Sequence, residues 1–234
     1  MATTTTAPDT AVRFAPLAAG VSLNENARTP QADRLLTGEA LGLIAALHRA
    51  LQPERKELLA KRRERQARWD AGGRPDYLPA DEHPDAHGDW QVGALPEDLL
   101  MRRVEITGPV SDPKMVINML SRTDEGTRAD AAMLDFEDSM KPSWNNVMQG
   151  VQNVKEAAAG TLRHEKRDRD GNVVKTYELD PDDMPLLMVR VRGLHLDESN
   201  LRVDGQPVAG GLLDLALCAV HAAGALIERG KTPK

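Results

Sequence analysis

The sequence predicts an α/β protein whose parallel strands form an incomplete (β/α)8 barrel, and three observations carry that reading. Three short segments, Arg103 to Gly108, Ala131 to Glu137 and Pro185 to Val191, alternate apolar and polar residues with the period of two that a strand requires. Each runs into a turn and then a helical pattern, the order from which parallel sheets are assembled. The charged residues gather at the carboxyl ends: Asp135, Glu137 and Asp138 close the second segment, and Arg190 and Arg192 the third. That end of an α/β barrel is where its chemistry is done. A purely structural alternative has the acids capping the next helix and the arginines neutralising them in a buried network.

Residues 1–30, rich in Thr, Ala and Pro, show no sustained period and read as a loosely ordered arm. Residues 31–98 read as a helical region. Ala40, Leu41, Ile44, Ala45, Leu47 and Leu51 form one stripe behind a Thr37 cap, and Pro53 is expected to open a second helix reaching Trp69. That second helix carries Arg55, Lys56, Lys61, Arg62, Arg63, Arg65 and Arg68 against Glu54, Glu57 and Glu64, the pattern of a solvated face. His83 and His87 lie among acids, but Pro84 keeps them off one helical face, so the stretch reads as an acidic surface loop rather than a metal site.

Residues 99–234 read as the first part of the barrel. After the first strand, Asp112-Pro113 caps a helix to Leu120; after the second, Ser143 caps one whose Trp144, Val147, Val151 and Val154 face the core until Gly160 stops it. Two polar-apolar runs about Asp170-Gly171 predict a hairpin excursion at about 161–180. A turn signal at Asp204-Gly205 precedes a long buried helix from Leu212 to Arg229. A fourth strand is then due, and the expectation is that the chain is the amino-terminal part of something larger.

Composition narrows the function. Aromatic residues make up only 3% and the formal charge is −6, which argues against nucleic-acid binding. No run is expected to reach the length of a membrane span, and the amino terminus lacks the apolar centre of a secretory signal. A single cysteine, Cys218, sits in an Ala/Leu-rich helical pattern and reads as a core thiol in a reducing, cytoplasmic compartment.

Four blocks in order carry a resemblance. Arg102 to Pro109 followed by Lys114 to Asn118, Asp135 to Ser139, Trp144-Asn145-Asn146 with Gly150, and Arg190 to Leu196 closely resemble the start of the barrel in malate synthases of the shorter A type. The resemblance spans roughly Gly38 to Gly230 and makes the helices before Ala71 that family's N-terminal clasp. It implies condensation of glyoxylate with acetyl-CoA and hydrolysis of the thioester to malate and CoA, in the glyoxylate cycle, with Mg²⁺ as cofactor. It assigns Arg190 the catalytic role of stabilising the enolate oxygen, a task suited to a fixed guanidinium on a rigid strand. Arg192 is expected to hold Arg190 or contact substrate. Asp135 and Glu137 are expected beside the metal, and Asp138 to orient the following loop. The metal ligands and the catalytic aspartate are expected on later strands, so the 234-residue chain alone is expected to be inactive. The related alternative is a CoA-thioester lyase like the citrate lyase β subunit; the non-enzymatic one is an interaction module whose partner covers the open sheet edge.

Overall fold

A computed structural model describes residues 12–234. The chain opens with two short strands, β1 (Phe14–Ala18) and β2 (Val21–Asn24), paired antiparallel about Gly20, whose φ of +73° suits a residue without a Cβ. The reading of 1–30 as a loose arm is therefore corrected for residues 14–24; residues 1–11 of it lie outside the described part. The apolar partners of Val21 and Leu23 are Val203 and Leu201, and all four are buried.

Helix α1 (Pro30–Leu35) is capped by the Thr29 hydroxyl, and α2 (Gly38–Asp70) by that of Thr37. The expected break at Pro53 is absent, because α2 runs through it as one helix of 33 residues. A proline removes one backbone donor, and here packing outweighs that loss: Ala40, Leu41, Ile44, Ala45, His48, Gln52 and Arg55 are all buried. Beyond Glu57 the helix is largely exposed, as its charge pattern predicts, whereas Arg55 is not. Pro84 starts a single helical turn, α3 (Pro84–His87), in an exposed stretch.

Strand β3 (Glu105–Pro109), helix α4 (Pro113–Leu120), strand β4 (Ala131–Asp135), helix α5 (Trp144–Ala159), the antiparallel hairpin β5 (Arg163–Arg167) and β6 (Val173–Glu178), and strand β7 (Leu186–Arg190) follow in the expected order. The sheet is parallel, ordered β3-β4-β7, and remains open. Its alternation matches the expected parity. Ala132, Leu134, Phe136 and Leu187 join the main core under the helices, whereas Ala131, Leu186 and Met188 cluster on the other face. Ile106 is 41% exposed despite its place on the core-side row, because β3 is an edge strand that α4 covers only near Gly108.

Two further strands were not anticipated. β8 (Asp197–Val203) and β9 (Gln206–Ala209) flank the Asp204-Gly205 turn, where both residues have positive φ, and complete an antiparallel sheet ordered β1-β2-β8-β9. Helix α6 (Gly210–Cys218) passes through a π-helical turn, Ala219–Ala223, into α7 (Gly224–Glu228). Contrary to expectation, this 19-residue stretch is long and apolar enough to cross a membrane, with mean hydropathy 1.7. Half of it is buried inside the protein, and Leu215 and Ile227 are exposed, so it is not buried all round as expected.

Candidate active site

The site begins with strand register. Asp135 ends β4, Arg190 ends β7, and the two are direct partners across the parallel pair. Asp135 is only 1% exposed, and its carboxylate is occupied locally: one oxygen accepts the Glu137 N–H at 3.0 Å and the other the Ser139 N–H at 3.1 Å. Those bonds turn the chain so that Glu137 and Asp138 come back toward Arg190. The guanidinium lies 3.7 Å from Asp135 Oδ2 and 3.5 Å from Glu137 Oε2, and it bonds Asp138 directly. The Asp138 hydrogen bond first, and then the field of Asp135, hold Arg190 above even its ordinary high pKa. Arg190 keeps 38% of its side chain exposed, so the cation is fixed yet reachable.

Arg192 lies elsewhere. β7 ends at Arg190, so strand alternation no longer governs the next residues, and the Arg192 side chain is buried at 3% exposure. Asp214 of α6 accepts its backbone N–H at 3.0 Å, its Nε at 2.9 Å and its Nη2 at 2.8 Å, and Glu198 accepts Nη1 at 2.9 Å. Burial works against the Arg192 charge, but these two carboxylates outweigh it and its pKa is raised. Gly210 and Gly211 permit this approach: a Cβ at Gly211 would stand 2.3 Å from the Arg192 carbonyl oxygen. Arg192 was expected to contact substrate or to hold Arg190, and the structure turns its side chain to Asp214 and Glu198. Arg192 ties the end of the sheet to helix α6.

Of the expected site residues, then, Asp135, Glu137, Asp138 and Arg190 come together and Arg192 does not. His195 joins the first group unannounced, with Nε2 3.9 Å from Glu137 Oε1, folded over Gly193 where a Cβ would collide with both side chains. Its signal in the sequence was the Gly193-Leu194-His195 run directly after the strand. Asp214 and Glu198 were also missed, the former because one acid inside an apolar helix resembles an exposed position.

Among the described residues no three His, Cys, Asp or Glu side chains converge to hold a metal ion. The acids at the sheet end are turned to Arg190 and to backbone N–H groups, so by themselves they do not make a Mg²⁺ site.

Helices over an open parallel sheet, with acids and a guanidinium gathered at its carboxyl end, define an α/β protein with a charged cluster at the end where such folds carry their sites. Comparison with known proteins agrees with that class and narrows it. Family models described as malate synthase, N-terminal domain, and malate synthase, TIM barrel domain, match residues 20–83 and 186–234. A malate synthase of Myxococcus xanthus is 42% identical over 204 residues, covering 87% of this chain and 35% of the relative. The glyoxysomal malate synthase of Zea mays is 40% identical over 187 residues, 80% of this chain and 32% of that protein. Malate synthase A of Escherichia coli is 37% identical over 203 residues, 87% of this chain and 36% of that protein. The chain belongs to the malate synthase family. It spans about a third of the length of these curated relatives.

Proposed function

We propose that the chain supplies the enolate-stabilising part of a malate synthase, which condenses glyoxylate with acetyl-CoA and hydrolyses the thioester to malate and CoA in the glyoxylate cycle. The observation that supports this best is Arg190: a partly exposed guanidinium, fixed by carboxylates at the carboxyl end of a parallel strand. Removing a methyl proton from acetyl-CoA puts negative charge on the thioester oxygen. A guanidinium already held in place stabilises that charge without reorganising. In this reading Mg²⁺, if bound by ligands on later strands, would supply polarisation of the glyoxylate carbonyl, and the proton-abstracting aspartate also comes from later strands. Asp135 and Glu137 hold Arg190 beside it. We place the protein in the cytoplasm; the buried Cys218 thiol, pushed upward in pKa by desolvation, suits a reducing compartment.

The test joins this chain to the carboxyl-terminal two thirds of the Myxococcus xanthus relative and measures thiol release from acetyl-CoA with glyoxylate. The chain alone is expected to release none, and the joined protein to turn over. Arg190→Ala should lower turnover by roughly a hundredfold or more, since one such donor contributes about 3 to 4 kcal/mol. Near-normal turnover in that variant removes Arg190 from the mechanism, and a folded but inactive joined protein overturns the whole reading.

A further inference from the structure

We propose that Arg55, on the N-terminal helix α2, is a positioning residue for the Arg190 site, acting through His195. In sequence Arg55 belongs to a run of cations that reads as a solvated face, yet its side chain is only 6% exposed. Burying a guanidinium is unfavourable unless its donors are used, and here they are used on one target. Nε donates to the Leu194 carbonyl at 2.5 Å and Nη2 to the Leu196 carbonyl at 3.4 Å, with Asp197 Oδ1 2.8 Å away and Gln52 accepting from Nη1 at 3.2 Å. The two carbonyls flank His195.

The segment they hold is a turn closed by the Leu196 N–H on the Gly193 carbonyl at 3.0 Å, and the Leu196 carbonyl also accepts the Gly210 N–H at 2.8 Å. At its base, Arg192 is locked by Asp214. The turn is thus gripped by α2 on one side and by α6 on the other. What projects from it is His195, 3.9 Å from the Glu137 carboxylate that in turn lies 3.5 Å from Arg190. A planar fork on the two carbonyls that flank His195 fixes backbone orientation in a way a point charge does not. The N-terminal helix therefore contributes to the active site without touching it. This inference rests on the reading of the Arg190 cluster as the reacting centre.

The experiment uses ring ¹H–¹³C NMR of the 234-residue chain, with the His221 ring, held on the Leu35 carbonyl, as the reference for an intact fold. Glu137→Gln marks the shift that His195 undergoes when that neighbour loses its charge. Arg55→Ala is expected to move the His195 signal away from its wild-type position while His221 stays, and Arg55→Lys is expected not to restore it. Should Arg55→Ala disturb His221 as well, Asp197→Ala, which removes only one exposed support of Arg55, should still move His195 by a smaller amount. An unmoved His195 with an intact fold overturns the proposal. In the joined enzyme Arg55→Ala should lower kcat roughly ten- to a hundredfold, the range for a misplaced group. A displaced His195 with unchanged kcat overturns the catalytic part of this proposal, whereas unchanged turnover in Arg190→Ala overturns the reading of the site itself.

Discussion

Asp135 and Arg190 face each other across two adjacent parallel strands, and the buried carboxylate of Asp135 binds the N–H groups of Glu137 and Ser139 as well as lying 3.7 Å from the guanidinium. One side chain thus shapes the turn that delivers Glu137 and Asp138 and helps hold the cation they surround. Asp135→Ala leaves two N–H groups without their acceptor and removes a charge from beside Arg190. Hydrogen bonds to a charged group contribute roughly 1.5 to 3 kcal/mol, so a loss of about 3 kcal/mol is expected. Urea unfolding of the chain measures it, and a loss below about 0.5 kcal/mol, the scale of surface substitutions, would mean that the turn holds without Asp135.

The buried pair of Arg192 with Asp214 yields a sharper contrast. Asp214→Ala removes two of the acceptor bonds of a guanidinium that is 3% exposed and leaves it only Glu198, and breaking a buried pair in this way costs about 3 to 5 kcal/mol, with Glu198 keeping the loss toward the lower figure. Asp214→Asn keeps the shape and an acceptor oxygen, so its loss should be smaller. Thermal melting of the two variants beside the wild type orders them, and equal losses would show that charge rather than shape matters at this position.

The parallel strands and the caps at Thr37, Asp112 and Ser143 were legible because they depend on local periodicity and on residues a few positions apart, and the convergence of Asp135 with Arg190 followed because each closes a parallel strand at the same end of the sheet. The antiparallel sheet was not. Val21 and Leu23 form only a four-residue strand, too short to announce itself, and they pair with Val203 and Leu201 far along the chain. Arg55 was misread for a related reason. A cation among cations looks solvated until the Gly193–Leu196 turn is folded against it, and nothing within α2 encodes that turn.

Acid sensitivity should come partly from Asp130, whose carboxylate accepts the N–H groups of Val104 and Arg103 at the start of β3. The Val104 hydrogen bond first, and that of Arg103, hold its pKa below the ordinary carboxylate value. A depressed folded-state pKa contributes stability that is present above the unfolded value and is lost as pH falls through the folded one. The loss therefore starts at about pH 4 and continues downward. Asp130→Asn is expected to lower stability at neutral pH and to flatten the acid limb of a melting-temperature profile. An acid limb as steep as the wild type's would assign the sensitivity to other carboxylates.

Gly150 sets two effects of opposite sign against each other. It lies inside α5, where alanine in place of glycine usually gains roughly 0.5 to 1 kcal/mol by restricting the unfolded chain. Here, however, the helix rests on the sheet at this point. A Cβ would stand 2.7 Å from Val110 Cγ1 and 2.9 Å from Phe136 Cε1, both closer than packed carbons tolerate. Val110 and Phe136 are fully buried at 0% exposure, so neither can swing into solvent to make room. Overpacking a filled core costs about 1 to 3 kcal/mol, which exceeds the helix gain. Gly150→Ala should therefore destabilise the chain by about 1 to 2 kcal/mol, read as a lower urea midpoint at unchanged slope. Because Phe136 directly follows Asp135, displacing its ring should also shift the backbone amide signals of Glu137 and Ser139. A stabilised Gly150→Ala protein with those amides unmoved would show that α5 sits farther from the sheet than these distances require.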